Sequence, residues 1–278
     1  MMKARNDRAY VTTMGVDVTT FEDILSSFEP LWNSVTLPQN DVNPNGEPQV
    51  GRRSLNAAGC LGLVLHWLCS TMAAYTLQQI FGITPAVCSR YLDWGLDCLL
   101  QVLKNHPQAR IIWPSTKERI QPYAKKIKKK LPLLENCFGF LDGLNLPICV
   151  AEHDDCIIAF APDGTIMYAI LNAPGSWHDS AIAVPLYERL LNHTPDGYRI
   201  ISDTAFPRKS QRLQRQILAP VKRGDRLPET PRSFSRMKLL NEEVVSARQA
   251  AEWGMRSLQG SFARLKLPMP AADHSQQL

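Results

Sequence analysis

The feature that most constrains the fold is a succession of short apolar runs that begins at Cys137. The runs FGFLDGLNLPICV, CIIAFA and TIMYAILNA have the composition of β-strands, and the turn residues 162–164 separate the last two. A helical segment follows, which we expect Ser176 to cap and Pro195 to end, and RIISD is typical of a fourth strand. The later segment NEEVVSARQAAEWGMRSLQGSFARLK predicts a long amphipathic helix. The predicted order is therefore β-β-β-α-β-linker-α.

This order is that of an α/β, RNase H-like fold with a mixed sheet, in which the fourth strand lies parallel beside the first. A right-handed crossover makes that placement natural. We expect Asp142, within the first strand, and Asp203, at the end of the fourth, to lie on strands about 4.8 Å apart. A late helix packed on the sheet would present Glu252 to the same place. Three convergent carboxylates suit hard cations such as Mg²⁺ or Mn²⁺.

Each acid has an alternative interpretation when it is considered alone. Asp142 stands before a glycine and fits the start of a turn, and Asp203 fits a bend after the strand. Glu252 lies one helical turn from both Arg248 and Arg256, so it also fits an ion pair on the helix surface. The joint placement of the acids on two strands and one helix is what favours a metal site.

Residues 1–50 are polar and rich in proline, asparagine and glycine, which predicts a loosely ordered arm with one short helix around residues 21–28. Residues 51–132 have helical apolar spacing, and Ser54 is a plausible N-cap for the first of these helices. The uncharged, apolar stretch 57–75 contains His66 and fits a buried bundle helix better than a membrane span. We therefore expect an all-α region ahead of the strands.

A helix-turn-helix layout lies within this region. A short helix, Thr76–Phe81, reaches Gly82, and a second helix opens at Pro85. If this element binds DNA, Ser89 and Arg90 would face the groove or the phosphates. An αα-hairpin in a helical bundle fits the same residues equally well.

Basic residues are concentrated in two blocks. Residues 104–130 hold nine Lys or Arg against one acidic residue, and residues 205–266 hold fourteen against five. Such blocks favour a polyanionic partner, because neutralised phosphates release counterions; a solvated surface is the alternative. One cluster fits a nuclear import signal or a phosphate-contacting surface, and its members are Lys125, Lys126, Lys128, Lys129 and Lys130.

The seven cysteines form no CxxC pair, and most lie in apolar runs. This pattern is typical of reduced, buried thiols in a nuclear or cytosolic protein. The first ten residues lack the apolar stretch of a signal peptide.

Five motifs occur in a fixed order between about residues 138 and 267: GFLDGLNLPI, PDGTI, APGSWHDS, SDTAFP and RQAAEWGMRSLQGSFARLK. Together they resemble the DDE endonuclease domain of Harbinger-type transposases and their domesticated relatives. The resemblance implies a metal-dependent DNA nuclease or transposase domain over residues 133–268, followed by a tail, 269–278. It assigns Asp142, Asp203 and Glu252 as the acids that bind Mg²⁺ or Mn²⁺ for an in-line, two-metal reaction.

The same resemblance extends to further residues. His178 and Asp179 match the family's His-Asp pair, so the imidazole would approach the scissile phosphate or orient an acid; alternatively, Asp179 only favours a helix N-terminus. A Myb-like DNA-binding partner and self-association are also implied. The thiols and the lysine cluster favour a nuclear location, with the cytoplasm as a second location. The basic residues of the late helix would contact DNA, and they are Arg248, Arg256, Arg264 and Lys266.

Two departures from the family leave a second function open. Only CVAEHDD separates the first two strands, where relatives have a longer polar segment, and the family usually continues well beyond residue 267. A catalytically inactive, domesticated or truncated DNA-binding remnant that uses the helices of residues 54–103 is therefore the alternative. A remnant with no biochemical role is the third possibility.

Overall fold

The computed structural model describes residues 6–37, 46–147, 154–174, 179–206, 210–222 and 230–268. The chain forms two compact units: Met1–Arg110 with Gln259–Leu267, and Ile111–Leu258 with Pro268–Leu278. The boundary after Arg110 differs from the expected one after residue 132, because the basic helix of residues 117–130 packs against the first strand of the sheet.

The first unit is helical throughout its described residues. Its helices pack around one apolar core that includes Phe28, Trp32, Leu61 and Tyr91. Single 3₁₀ turns occur at Val50–Arg52, Pro107–Ala109 and Ala263–Lys266. The α-helices of this unit are α1 (Asp7–Met14), α2 (Val18–Ser34), α3 (Ala57–Cys69), α4 (Ala74–Phe81) and α5 (Pro85–Asn105).

The expected loosely ordered arm is wrong for residues 6–37, which form α1 and α2. The side chains of Asn6 and Asp17 cap these helices by accepting backbone N–H bonds. Trp32 is fully buried and meets the ring of Tyr91 edge-on at a centroid distance of 5.2 Å. The polar composition of the segment concealed an apolar stripe whose partners lie on α3 and α5.

Helix α3 begins two residues later than a Ser54 cap would require. Asn56 is its N-cap and accepts a bond from the Gly59 N–H at 2.9 Å, while the Ser54 N–H donates to the Tyr91 hydroxyl at 3.0 Å. The Ser54 cap is therefore wrong. Within the described ranges, no helix combines the length and the apolar character needed to cross a membrane.

Helices α4 and α5 have the predicted helix–Gly82–helix layout. Gly82 adopts a left-handed conformation with φ of 63°, and its N–H bonds to the carbonyl of Gln78. Pro85 is the first residue of α5, where its missing N–H is tolerated. Ser89 is exposed, and the Arg90 Nε donates to the Ala86 carbonyl within the same helix at 2.9 Å.

The second unit contains the five-stranded mixed sheet, in the order β3-β2-β1-β4-β5. Strands β1, β2 and β3 are antiparallel neighbours, whereas β4 lies parallel beside β1 and β5 lies parallel beside β4. The α/β architecture is confirmed, and the short fifth strand was not predicted. The strands are β1 (Cys137–Leu146), β2 (Asp154–Phe160), β3 (Ile166–Pro174), β4 (Arg199–Ser202) and β5 (Ile217–Leu218).

The helices of this unit differ from the prediction at two places. The predicted helix after β3 is two helices, because Pro185 cannot donate the backbone bond that a continuous helix needs; the expected cap Ser176 lies outside the described residues. The late helix begins ten residues earlier than expected. These helices are α6 (Lys117–Lys130), α7 (Asp179–Ile182), α8 (Val184–His193), α9 (Gln211–Gln216) and α10 (Pro231–Ser261).

The sheet has a core on each face. On the α8 face, Leu186 and Leu190 pack with Leu141 and Ile200. On the α10 face, the buried core consists of residues from α6, the strands and α10, namely Ile127, Leu134, Cys137, Phe140, Ile201, Val244, Ala247 and Ala251.

A bulge in β1 determines which residues reach which face. Cys137 pairs with Arg199 and Gly139 with Ile200, so Phe138 is an extra residue in β1. A Cβ at Gly139 would lie 2.4 Å from the Met167 side chain, a residue of the α8-face core, so Phe138 and Gly139 both face that side. After the bulge, alternation places Phe140 on the α10 face.

Candidate metal and DNA site

The two aspartates follow a paired position on neighbouring strands. Leu141 of β1 pairs with Ser202 of β4 in parallel register, and Asp142 and Asp203 are the residues that follow this pair in the sequence. Alternation puts Asp142 on the same face as Phe140 and Asp203 on the same face as Ile201, and both of those residues belong to the α10-face core. The two carboxylates therefore lie at one edge of that core.

Each aspartate is oriented by a short backbone bond. Asp142 accepts a bond from the N–H of Gly143 at 3.0 Å, and Asp203 accepts one from the N–H of Ala205 at 2.8 Å. Both residues are partly exposed. An ionised carboxylate can accept about four bonds, so each side chain keeps free lone pairs that a cation or a donor can use.

Helix α10 packs on the face of the sheet to which these aspartates belong. Val244, Ala247 and Ala251 are buried at spacings of three and four residues, which form a single helix face. Glu252 follows Ala251 at the edge of this buried face, and its side chain is 47% exposed. The packing of α10 thus places an acid beside the sheet face that carries Asp142 and Asp203.

Three contacts fix the position of α10. Glu243 accepts a bond from the N–H of Leu133 at 2.9 Å, and Asn241 accepts one from the N–H of Val221 at 2.8 Å. At Gly254 a Cβ would lie 3.1 Å from the ring of Phe160, so the missing side chain allows the helix to approach the sheet closely.

The charges around Asp142 act on its titration. Burial raises the pKa of the Asp142 carboxyl, the bond from Gly143 opposes this, and the negative charges of Asp203 and Glu252 raise the pKa further. The positive charge of Arg248, one turn before Glu252, lowers the pKa of Asp142. The charges of Asp203 and Glu252 therefore both act on Asp142.

The acids do not form a ready-made coordination site in this conformation. Among the described residues, no group of three or more His, Cys, Asp and Glu side chains is close enough to hold a metal ion. His178 lies outside the described residues, and Asp179 is the first residue of α7. Asp203 and Glu252 thus act on Asp142 through their charges, and the three acids do not form a ligand set in the described structure.

The basic cluster of α6 is on the surface of the second unit. All five of its lysines are exposed, and Lys128 contacts Glu135 with Nζ 2.7 Å from Oε1. Exposed ammonium groups on one helix end form a surface that suits a phosphate backbone. The cluster is formed by Lys125, Lys126, Lys128, Lys129 and Lys130.

The predicted basic residues of the late helix have different environments. Arg256 is exposed and lies 3.9 Å from Glu252. Arg264 and Lys266 were expected on the late helix, but they lie in the following 3₁₀ turn, because α10 ends at Ser261. The guanidinium of Arg264 lies 4.4 Å from the centre of the Trp67 ring and donates to the Trp67 carbonyl at 3.2 Å, which anchors this turn in the first unit.

From the sequence, Arg248 was predicted only to pair with Glu252 or to contact DNA. In the structure, its positive charge also acts on Asp142. The four-residue spacing between Arg248 and Glu252 was the available signal, since it puts both side chains on one side of the helix. The cysteines do not contribute to this site: the six that the structure describes are free thiols, and Cys149 lies outside the described residues.

Comparison with known proteins gives one match. Residues 155–277 match the family model described as DDE superfamily endonuclease, which points to a transposase-like nuclease. The matched segment, less than half of the chain, includes Asp203 and Glu252, whereas Asp142 precedes it. No curated protein and no solved structure matches the chain.

Proposed function

We propose that the second unit is a metal-dependent DNA nuclease of the DDE type, akin to Harbinger-type transposases. Asp142, Asp203 and Glu252 hold Mg²⁺ or Mn²⁺, and the reaction breaks a phosphodiester bond. The observation that carries this proposal is the joint placement of the acids: two follow a paired position on parallel strands, and the charge of the third acts on Asp142.

The donor set fits a hard divalent cation, because all three side chains offer carboxylate oxygens. Glu252 is half-exposed, and its contact with the exposed Arg256 is a surface ion pair, worth about 0–1 kcal/mol. Little therefore opposes a rotation of Glu252 towards the aspartates. A cation would also offset the mutual repulsion that raises the pKa of Asp142.

When bound, the cation acts as a Lewis acid that polarises the phosphate and activates the attacking hydroxyl. The protein's own residues prepare this site. Arg248 favours the ionised form of Asp142, which is the form that binds metal, so we assign it as a positioning residue. His178, in the family's His-Asp pair, is proposed to approach the scissile phosphate or to orient an acid.

DNA binding is proposed to use the basic surfaces. The α6 lysines and Arg256 contact the phosphate backbone, and Ser89 and Arg90 are retained as contacts of the α4–α5 element. Their exposure supports this assignment for the lysines, Arg256 and Ser89. A Myb-like partner protein and self-association are further proposals that rest on the resemblance to Harbinger-type proteins. A nuclear location is proposed from the α6 lysines.

A second candidate function is DNA binding without cleavage. The specific observation in its favour is that the described side chains contain no group of three metal-binding residues at ligand distance. In this case the α6 lysines would retain their role and the three acids would be a remnant of the ancestral chemistry.

Nicking of supercoiled DNA tests the first function. We expect the full-length protein to nick DNA in the presence of Mg²⁺ or Mn²⁺, and we expect nicking to stop when EDTA is added. Asp142→Asn, Asp203→Asn and Glu252→Gln should each reduce the rate at least about 100-fold, because the lost ligands support several kcal/mol of transition-state stabilisation. Glu242→Gln is the matched control, since Glu242 is an exposed acid of the same helix, and should retain activity.

The outcomes separate the two functions. Nicking that persists in all three variants would overturn the metal site. Salt-sensitive DNA binding without nicking, weakened by Lys125→Gln and Lys129→Gln, would establish the second function, since each lost phosphate contact lowers the salt slope by about 0.9. Nicking by the wild-type protein and the Glu242→Gln control alone would establish the first.

A further inference from the structure

The second unit contains a cavity of about 530 Å³ that the proposed nuclease does not use. We call it the β3 cavity, because Tyr168 and its neighbours on β3 form one wall. Trp113 also lines the cavity, and its ring meets that of Tyr168 edge-on at 5.9 Å. Trp113 belongs to the α8-face core, whereas the three acids lie on the α10 face. The cavity is therefore separate from the proposed metal site.

Two arginines from different helices line this cavity. Arg119 comes from the first turn of α6 and Arg189 from α8, and both are exposed. The described residues that line the cavity include no aspartate or glutamate, and within the described part of the chain neither guanidinium makes an ion pair with a carboxylate. Two like charges at one cavity repel each other, and an anion bound between them would remove that repulsion.

Part of the remaining lining is apolar and accessible, and Ser115 and Thr116 add two polar side chains. Ile111 is 52% exposed and Ile112 is 48% exposed, and both line the cavity beside the half-buried ring of Tyr168. A flat aromatic ligand can pack against such a surface, because a nucleobase stacks on an aromatic ring whatever the identity of the base. The cavity thus combines a cationic edge with an apolar wall.

We propose that the β3 cavity binds a phosphate-bearing nucleotide. The phosphate lies between Arg119 and Arg189, whose planar guanidinium groups bind phosphate oxygens in pairs. The base packs against the wall formed by Ile111, Ile112 and Tyr168. The volume is in the range of about 300–1,000 Å³ that small-ligand sites occupy.

The nucleotide has two possible sources, a free mononucleotide and an unpaired nucleotide of a DNA strand. The second source rests on the proposed nuclease function, in which strand ends are present at the protein. An acidic peptide is less well matched, because single carboxylates would leave part of each guanidinium unpaired.

The test measures binding of fluorescein-labelled pentathymidylate to the full-length protein by anisotropy in EDTA, with unlabelled dTMP as competitor. Arg119→Gln and Arg189→Gln should each weaken binding about tenfold or more, because each variant loses charge-assisted hydrogen bonds to the phosphate. Arg215→Gln is the matched control: this exposed arginine of α9 does not line the cavity, and its loss should leave the affinity unchanged. Circular dichroism establishes that each variant is folded.

Each result decides the proposal. Competition by dTMP identifies a free nucleotide as a ligand, and binding of pentathymidylate that dTMP does not displace identifies a DNA strand. Equal affinity in the Arg119→Gln/Arg189→Gln double variant, absence of saturable binding, or displacement by a hexaglutamate peptide but not by dTMP would overturn the proposal. Binding is measured in EDTA, where no metal-dependent cleavage occurs, so failure of the nuclease and failure of this site are separable.

Discussion

The two faces of the sheet are built from alternate residues of the same strands, yet they serve different ends. On the α8 face, Leu141 and Ile200 meet the fully buried Leu186 and Leu190, and the central packing is apolar. On the α10 face, the residues that follow Phe140 and Ile201 at the same alternation are charged, because Asp142 and Asp203 replace apolar side chains at the end of the core. Both faces carry an apolar core, and on the α10 face that core ends at two carboxylates.

The difference teaches where this unit can be altered. Burial raises the pKa of Asp142, and the neighbouring acids raise it further, so its ionised form is disfavoured in the folded state. Groups that oppose folding in this way are common at functional sites. Substitutions in the α8-face core should therefore cost stability, whereas neutralising Asp142 should increase it.

The largest effect on stability is expected for Leu186→Ala. Leu186 is 0% exposed, so the truncation leaves a cavity in the α8-face core and should lower the free energy of unfolding by about 2–5 kcal/mol. Urea denaturation measures the change. Val245→Ala on the exposed side of α10 is the control and should have little effect. A loss below about 1 kcal/mol for Leu186→Ala would contradict the proposed role of this face.

A smaller loss is expected for Gly139→Ala. The new Cβ would lie 2.4 Å from the Met167 side chain and 2.7 Å from the Phe160 carbonyl oxygen, so strand or side chain must move. Overpacking of this kind lowers the free energy of unfolding by about 1–3 kcal/mol. The comparison is Gly143→Ala in the same strand, where the Cβ would lie 4.0 Å from the Cys156 carbonyl oxygen. Equal unfolding midpoints for the two variants would refute the close contact at Gly139.

Asp142→Asn should stabilise the metal-free protein. The gain in the free energy of unfolding should be smaller than the losses expected for Leu186→Ala and Gly139→Ala. The raised pKa means that the folded state binds this proton more tightly than the unfolded chain. This group therefore contributes stability below its unfolded pKa, and that contribution is lost as pH rises through the folded pKa. The variant should unfold at a higher temperature than the wild type at neutral pH, and the gap should close as pH falls towards the ordinary aspartate pKa. A lower unfolding temperature at neutral pH would contradict the placement of Asp142.

The smallest effect is expected for Arg256→Gln. Arg256 is 77% exposed, and its 3.9 Å contact with Glu252 is a surface pair, so the free energy of unfolding should change by less than about 0.5 kcal/mol. Thermal unfolding at low and high salt measures the change. A larger loss, dependent on salt, would show that Glu252 is held by this arginine and is not available to the aspartates.

The sheet was predictable because its signals are local. The strands of residues 137–202 have apolar runs bounded by turn residues, and the crossover rule then puts β4 beside β1. The register that brings Leu141 opposite Ser202 was not predicted, because it depends on the bulge at Phe138. The two-residue strand β5 escaped prediction because a run so short has no periodicity.

Features that depend on distant partners could not be predicted. Helix α2 is stabilised through residues such as Trp32, which packs on Tyr91, and local composition does not contain that contact. Arg264 has the spacing of a helical DNA contact, but its stacking on Trp67 depends on a residue far away in the chain. The β3 cavity combines Arg119 and Arg189 from separate helices, and only the packed structure brings them together.

The bulge at Phe138 sets the phase of everything that follows it in β1. If the residues from Cys137 onward alternated without a bulge, the carboxylate of Asp142 would point into the leucine-rich interior between sheet and α8, and Leu141 would occupy its place under α10. The shared face of Phe138 and Gly139 therefore keeps the carboxylate and the leucine on opposite sides of the sheet. Removal of one of these two residues would make β1 regular and leave Asp142 on the α10 side.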